Sequence, residues 1–394
     1  MIKITLFAQI INLFDKISFR KLVNQNQSDK HNKGINSWSH LVAMVFQQFS
    51  QSSSLREISN GLRSATGNLN HLGVAIAPSK SSISYINKHR AWTLFCDYYY
   101  ALHERLASAC GGFQKKIKIK NKKIKILDST LISLCIEVFD WAKYKSKKGA
   151  IKLHTVLDYD TCLPTFVLMT EGKDNDGSTA YMIPLPKDSV VVADRGYQDF
   201  ALMNNWDSNG NYFVVRLKTN TKFTVLQDND VTVQAKDGVI SDQIVQLSED
   251  KTFDKYPGKL RRVIVHNEDN DDCIELITNN LKWSSSTISK LYKSRWQIEI
   301  FFKEIKQHLK IKSFVGTSVN AVLIQIWTAL ITIMVLKYLK SISKYGWCLS
   351  NLVAFLRLNL FVKIDLQAWL DKPYECLDDD VGMVNQLCLF EKGG

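Results

Sequence analysis

The segment Tyr292-Lys293-Ser294-Arg295-Trp296-Gln297-Ile298-Glu299-Ile300-Phe301-Phe302-Lys303-Glu304-Ile305-Lys306-Gln307-His308-Leu309 constrains the fold more than any other. On a helix turning by about 100° per residue, Leu291, Ile298, Phe302, Ile305 and Leu309 fall in an apolar stripe about 60° wide. Such a stripe needs a second layer to bury it. Tyr292, Arg295, Glu299 and Lys306, at offsets of 3, 4 and 7 residues, line up beside the stripe and not opposite it. A charged row in that place either projects into a cleft between the helix and its partner layer, or forms a solvated rim. In the rim, Arg295 and Glu299 would make an i,i+4 pair worth roughly 0.2–0.5 kcal/mol.

The second layer is legible upstream. Residues 1–110 read as helical, with Ile10, Leu13 and Phe14, and again Leu41, Met44, Val45 and Phe49, at helical spacing. Ser54-Leu55-Arg56-Glu57 has the capping-box form and starts a short helix to about Leu62; Pro78 to Ser82 starts another, over Ile83 to Leu102. The two resemble a helix-turn-helix, which places Lys80 at a helix N-terminus suited to phosphate; plain helical packing is the competing account. From Lys115 the chain alternates as strands do. Strands are expected at Ile124–Leu127, Leu131–Ile136, Ile151–Asp158, Pro164–Thr170, Val190–Ala193 and Tyr212–Leu217, with a helix over Gln198–Asn205. A meander followed by strand, helix and strand suits a mixed sheet better than a doubly wound one. Residues 220–280 read as a β-rich insertion, and helices return over Thr287–Leu309, Ala321–Leu339 and Leu349–Leu360. The fold class is therefore α/β, in three parts: a helical region 1–110, a mixed-sheet domain 111–345 and a helical C-terminus 346–394.

Charge narrows the partner. Among 394 residues, 51 Lys+Arg against 38 Asp+Glu leave +13, which points to a polyanion. The eight cysteines form no C-x-x-C pair and read as reduced thiols of an intracellular protein. The apolar run Ile4–Phe14 lacks a signal-peptide cleavage site. The longest apolar stretch, Ala321–Leu336, falls short of the roughly 20 residues of a membrane span and reads as a core helix.

Asp128 ends the apolar run Ile124–Leu127, and Asp194 ends Val190–Ala193. Neighbouring strand ends can bring two carboxylates together, and a third from a packed helix would complete an oxygen cage for Mg²⁺, with a second ion about 3.5–4 Å away for phosphoryl transfer. The bland alternative is that each aspartate only opens a turn.

At these residues the chain resembles a known family. The spacing Tyr292, Arg295, Glu299, Lys306 matches the Y-R-E-K signature of DDE transposases of the insertion-sequence-four family, and Asp128 in Leu127-Asp128-Ser129-Thr130 and Asp194 in Ala193-Asp194-Arg195-Gly196-Tyr197 resemble its two aspartate motifs. The resemblance implies a ribonuclease H-like catalytic domain with a β-rich insertion and a helical N-terminal DNA-binding domain. It makes Asp128, Asp194 and Glu299 a triad holding two Mg²⁺, for which Mn²⁺ can substitute, and gives Tyr292, Arg295 and Lys306 a grip on phosphates. Its expected partners are transposon ends and target DNA, with a homodimer bringing two ends together in the bacterial cytoplasm, at the nucleoid and not at a membrane. A nuclease that cuts without joining, or a silent DNA-binding descendant, would carry the same residues.

Lesser features fit this scheme. Lys118 and Lys120, in the lysine-rich run 115–125, suit either a DNA track or a charged sheet edge. Trp296 suits base stacking or core packing equally. His154 reads as a satisfied core histidine, Glu304 points away from the charged line, and Asp174 and Asp176 read as turn formers.

Overall fold

Helical spacing at both ends of the chain produces one helical layer, and the apolar runs between them produce one sheet. The computed structural model describes all residues except 1–3, 31, 33, 66, 108–116, 118, 120, 121, 136, 137, 140, 142, 146, 147, 219, 232–237, 268–271 and 375–394. Lys118 and Lys120, with Lys115 and Lys116 of the same run, therefore lie outside the described residues.

The first layer begins with α1 (Leu6–Asn12), α2 (Lys16–Gln25), α3 (Ser37–Ser50), α4 (Leu55–Ser64), α5 (Lys80–His89) and α6 (Thr93–Leu106). Side chains of Asp15, Asn36, Ser54 and Ser79 accept first-turn N–H groups. The capping signal at Ser54 behaves as read: Ser54 Oγ accepts from the Glu57 N–H at 3.2 Å, and the Glu57 carboxylate accepts from the Ser53 N–H at 2.8 Å. The single helix expected over Ile83–Leu102 is instead two. Arg90 turns extended after α5, because its guanidinium reaches Asp29 at 3.1 Å and the Ile35 carbonyl at 2.9 Å. A connection spanning residues 65–79, with a 3₁₀ turn at Asn70–Leu72, separates α4 from α5. That is longer than a helix-turn-helix turn of about 3–4 residues.

The C-terminal helices complete this layer. α12 (Val319–Ile342) packs against α3, α5, α6 and α13 (Leu349–Asn359). By length and composition α12 could cross a membrane, at mean hydropathy 2.1, yet 83% of its apolar window is buried inside the protein, as a core helix requires. The first helix ties to the chain's far end: Leu6 and Phe7 N–H groups donate to the Val362 and Leu360 carbonyls at 2.9 and 2.8 Å.

The sheet contains β1 (Ile124–Leu134), β2 (Lys143–Lys145), β3 (Lys148–Asp158), β4 (Pro164–Glu171), β5 (Val190–Ala193) and β6 (Tyr212–Arg216). β4 pairs with β3, β3 pairs antiparallel with β1, and β5 and β6 follow parallel to β1, which is the ribonuclease H-like arrangement. Helix α7 (Asp176–Ala180) precedes β5, and α8 (Phe200–Ser208) links β5 to β6. Alternation puts Ile124 and Ile126 in the core shared with the helical layer, and Leu127, Val191 and Ala193 in a second core beneath α8.

The expected insertion is present. β7 (Phe223–Asp228), β8 (Val239–Leu247), β9 (Leu260–Asn267) and β10 (Asp272–Thr278) extend the sheet antiparallel from β6, in the order β6-β10-β9-β8-β7, with the short α9 (Asp250–Phe253) between β8 and β9. Its root is a buried ion pair, Arg261 Nη2 to Asp242 Oδ2 at 2.5 Å with Nε to Oδ1 at 2.8 Å, and Arg261 also donates to the Trp283 carbonyl. Burial opposes the Asp242 charge, but these bonds win and hold its pKa below the ordinary value. Asp242→Ala strands Arg261 and is expected to cost about 3–5 kcal/mol in urea unfolding. A loss below about 1 kcal/mol would mean that the pair behaves as a surface bridge.

Candidate active site

The site grows out of one pairing. β1 and β5 run in parallel register from Ile124 opposite Val190 to Leu127 opposite Ala193, where β5 stops. Asp128 and Asp194 come next, each one residue past its strand's last pair in this ladder, so both leave the same end of it. Each carboxylate is anchored alike, accepting the N–H of the following residue at 2.7 Å: Ser129 for Asp128, and Arg195 for Asp194. Asp194 ends its strand as read. Asp128 does not: Ile124–Leu127 and Leu131–Leu134, the part of the expected Leu131–Ile136 strand that β1 includes, belong to one strand, since Asp128, Ser129 and Thr130 stay paired with Thr155, His154 and Leu153 of β3. Ser129 and Thr130 look like turn formers, but antiparallel pairing on the other side keeps them extended.

The expected single helix over Thr287–Leu309 is α10 (Ser285–Lys293) followed by α11 (Trp296–His308). A tight turn joins them, with the Arg295 N–H bonded to the Tyr292 carbonyl at 3.0 Å and both junction residues, Ser294 and Arg295, still right-handed. Ile298, Phe301, Phe302 and Ile305 bury the stripe. The charged row survives the break and meets the sheet residue by residue. Tyr292 Oη donates to Asp194 Oδ1 at 3.4 Å. The Arg295 guanidinium spans two acids, reaching Asp128 Oδ2 at 3.1 Å through Nη1 and Glu299 Oε1 through Nη2. Lys306 Nζ donates to Thr130 Oγ1 at 2.6 Å, two residues beyond Asp128 on the same sheet face.

Electrostatics follow from this closeness. Burial raises the Asp128 pKa to about 6, against the pull of the Ser129 N–H and Arg295; Asp194 and Glu299 push the same way as burial. Burial opposes the Arg295 charge, yet Tyr292, Glu299 and Asp128 together hold its pKa above the ordinary value. Burial raises the Tyr292 pKa and lowers that of Lys306. Among the described residues no three His, Cys, Asp or Glu side chains converge as a ready metal cage. Asp128 and Glu299 nevertheless already share one cation, the guanidinium, and their all-oxygen donor set suits a hard divalent ion.

The remaining candidates fall elsewhere. Trp296 opens α11 with 60% exposure, so it is not core. Lys80 lies on α5 in a separate groove of about 880 Å³ that also holds Arg56, Tyr85 and Lys88. Glu304 turns away to Lys337 at 2.8 Å. His154 is fully buried, bonds Thr170 Oγ1 at 3.0 Å, and burial lowers its pKa to about 4. Asp176 does more than form a turn: its Oδ1 accepts from Ser129 Oγ at 2.6 Å and pairs with Lys152 Nζ at 3.1 Å. Only its position in a polar loop was visible in sequence, since Ser129 lies 47 residues away.

Residues 120–335 match the family model described as transposase DDE domain, and residues 3–75 match a domain described as of unknown function, DUF4372. A Sinorhizobium fredii protein bearing the name transposase y4zB is 32% identical over 252 residues, covering 64% of this chain and 70% of that one. A Geobacillus stearothermophilus protein named for transposition of the insertion sequence IS5377 is 27% identical over 237 residues, covering 60% and 62%. A Synechocystis protein named for the insertion sequence IS4SA is 25% identical over 293 residues, covering 74% and 80%. The chain belongs to the DDE transposases and, within them, is a transposase of a bacterial insertion sequence, as its resemblance to the insertion-sequence-four family implied.

The raised pKa of Asp128 links folding stability to pH. The folded protein keeps a proton there that the unfolded chain releases near pH 4, so stability falls as pH rises from about 4 to about 6 and stays lower above. In EDTA, Asp128→Asn is expected to melt a few degrees higher than the wild type at pH 7.5, with the difference vanishing toward pH 4. A lower melting point at pH 7.5 would mean that the bond to Arg295 outweighs burial.

Proposed function

We propose that Asp128, Asp194 and Glu299 hold a pair of Mg²⁺ ions, which Mn²⁺ can replace, and that this site cuts DNA at the ends of the element and joins them to a target. The observation that carries the reading is the convergence of the Y-R-E-K row on both aspartates, through Tyr292 to Asp194 and Arg295 to Asp128 and Glu299. Bound there, the ions would supply Lewis acidity for in-line phosphoryl transfer. The protein's own groups do the rest. The backbone N–H groups of Ser129 and Arg195 orient the aspartates, and the raised pKa of Asp128 means that a cation would displace its proton only below about pH 6. Arg295 presents a planar fork suited to phosphate once its carboxylates have another counter-charge. Tyr292 and Lys306 flank the acids with further donors.

DNA is the polyanion that the +13 charge suits. In this reading residues 1–110 read the element's ends, residues 111–345 do the chemistry, and 346–394 form the helical C-terminal part. Lys80 and the lysine run with Lys118 and Lys120 contact the backbone, while exposed Trp296 stacks on an unpaired base. One chain has one triad, so acting on two ends takes a homodimer. The place of action is the cytoplasm, at the nucleoid.

The test is cleavage of a labelled duplex bearing the element's end, in Mg²⁺, Mn²⁺ or EDTA. Asp128→Ala, Asp194→Ala and Glu299→Ala should each cut at least about 10³-fold more slowly while still binding the duplex. A wild type that folds and binds DNA but never cuts would replace this reading with that of a silent DNA-binding descendant; cutting without joining would make it a nuclease.

A further inference from the structure

We infer that Asp176 is a positioning residue for the metal site, bonding β1 and β3 from behind the sheet and abutting the turn that follows Asp194. The inference rests on the triad reading above.

Strand alternation sets the two faces of β1. Asp128 and Thr130 face α11, so Ser129 between them faces the opposite side of the sheet. There it meets Asp176 at the start of α7, donating Oγ–H to Oδ1 at 2.6 Å. The same carboxylate takes Lys152 Nζ at 3.1 Å, and His154 Nδ1 stands 3.5 Å away; both belong to β3, the other neighbour of β1. With the His154 pKa lowered to about 4 by burial, Lys152 is the cation of this cluster at neutral pH. Lys152 is itself pinned, donating also to the Asp174 carbonyl at 2.9 Å.

The second oxygen of Asp176 lies beside the turn that follows the other aspartate. Oδ2 lies 3.8 Å from where a Cβ on Gly196 would stand, two residues past Asp194 in the 3₁₀ turn Arg195–Tyr197. One partly buried carboxylate thus bonds the residue after Asp128, bonds the strand beside it, and abuts the turn that begins at Asp194. β1 and β5 pair only up to Leu127 and Ala193, so no ladder bond fixes the separation of the two acids beyond that point. Asp176 supplies a constraint at that level. Groups behind metal ligands that fix their orientation commonly change metal affinity by about 10–100-fold when removed.

The experiment titrates Mn²⁺ into the full-length protein without DNA, reading free Mn²⁺ by electron paramagnetic resonance. Asp176→Asn, which keeps the shape and an acceptor but loses the charge, is expected to weaken Mn²⁺ binding at least about 10-fold. Ser129→Ala, which removes one bond and leaves the Lys152 pair, should weaken it less. Asp242→Asn, which damages a buried ion pair in the insertion, should leave Mn²⁺ affinity unchanged, as should Asp176→Asn the affinity for end duplex in EDTA. Wild-type Mn²⁺ affinity in Asp176→Asn, or an equal loss in Asp242→Asn, overturns the positioning role. Should Asp176→Asn not fold, wild-type affinity in Ser129→Ala overturns it instead. If Asp128→Ala and Glu299→Ala bind Mn²⁺ as the wild type does, the triad reading itself falls, and the positioning role with it.

Discussion

The site depends on a parallel ladder that is only four residue pairs long, from Ile124 and Val190 to Leu127 and Ala193. All eight of these side chains are buried, which makes the register costly to shift: a slip by one residue would turn each apolar side chain toward the wrong core. Because the register cannot slip, Asp128 and Asp194 emerge side by side where the ladder ends. β1 then continues with β3 while β5 turns away, which opens the cleft that α11 covers.

The cleft concentrates charge at a cost the rest of the fold absorbs. Burial resists ionisation of Asp128, and the Arg295 guanidinium offsets part of that by lying between Asp128 and Glu299. Such an arrangement needs rigid walls. α11 supplies one, through Ile298, Phe301, Phe302 and Ile305, and bonds from the helical layer hold its end: Gln51 Nε2 donates to the His308 carbonyl, and Gln48 Oε1 accepts from the Lys310 N–H at 2.8 Å. The helices of residues 1–110 are thereby part of what positions Glu299 and Lys306, besides the DNA contacts proposed for them.

Short apolar runs made the sheet legible. Val190–Ala193 was bounded correctly because four consecutive buried residues ended in Asp194, and the Y-R-E-K row was found because helical spacing is periodic. The merging of two expected strands into β1 was hidden, since Ser129 and Thr130 have turn-like chemistry and only pairing with β3 holds them extended. The break at Ser294–Arg295 was hidden for the opposite reason: both residues stay right-handed, so no proline or glycine marks the turn. The contact of Asp176 with Ser129 is long-range and had no local signal at all.

In the proposed reading Asp128, Asp194 and Glu299 together bind the two ions, and Arg295 bridges Asp128 and Glu299 until they do. The most direct measurement is anomalous scattering from Mn²⁺ in crystals of the protein bound to its end duplex. The expected map has two peaks among Asp128, Asp194 and Glu299, with the Arg295 guanidinium turned from Asp128 onto a DNA phosphate. Manganese bound elsewhere, or at the acids with Arg295 still bridging Asp128 and Glu299, would contradict it.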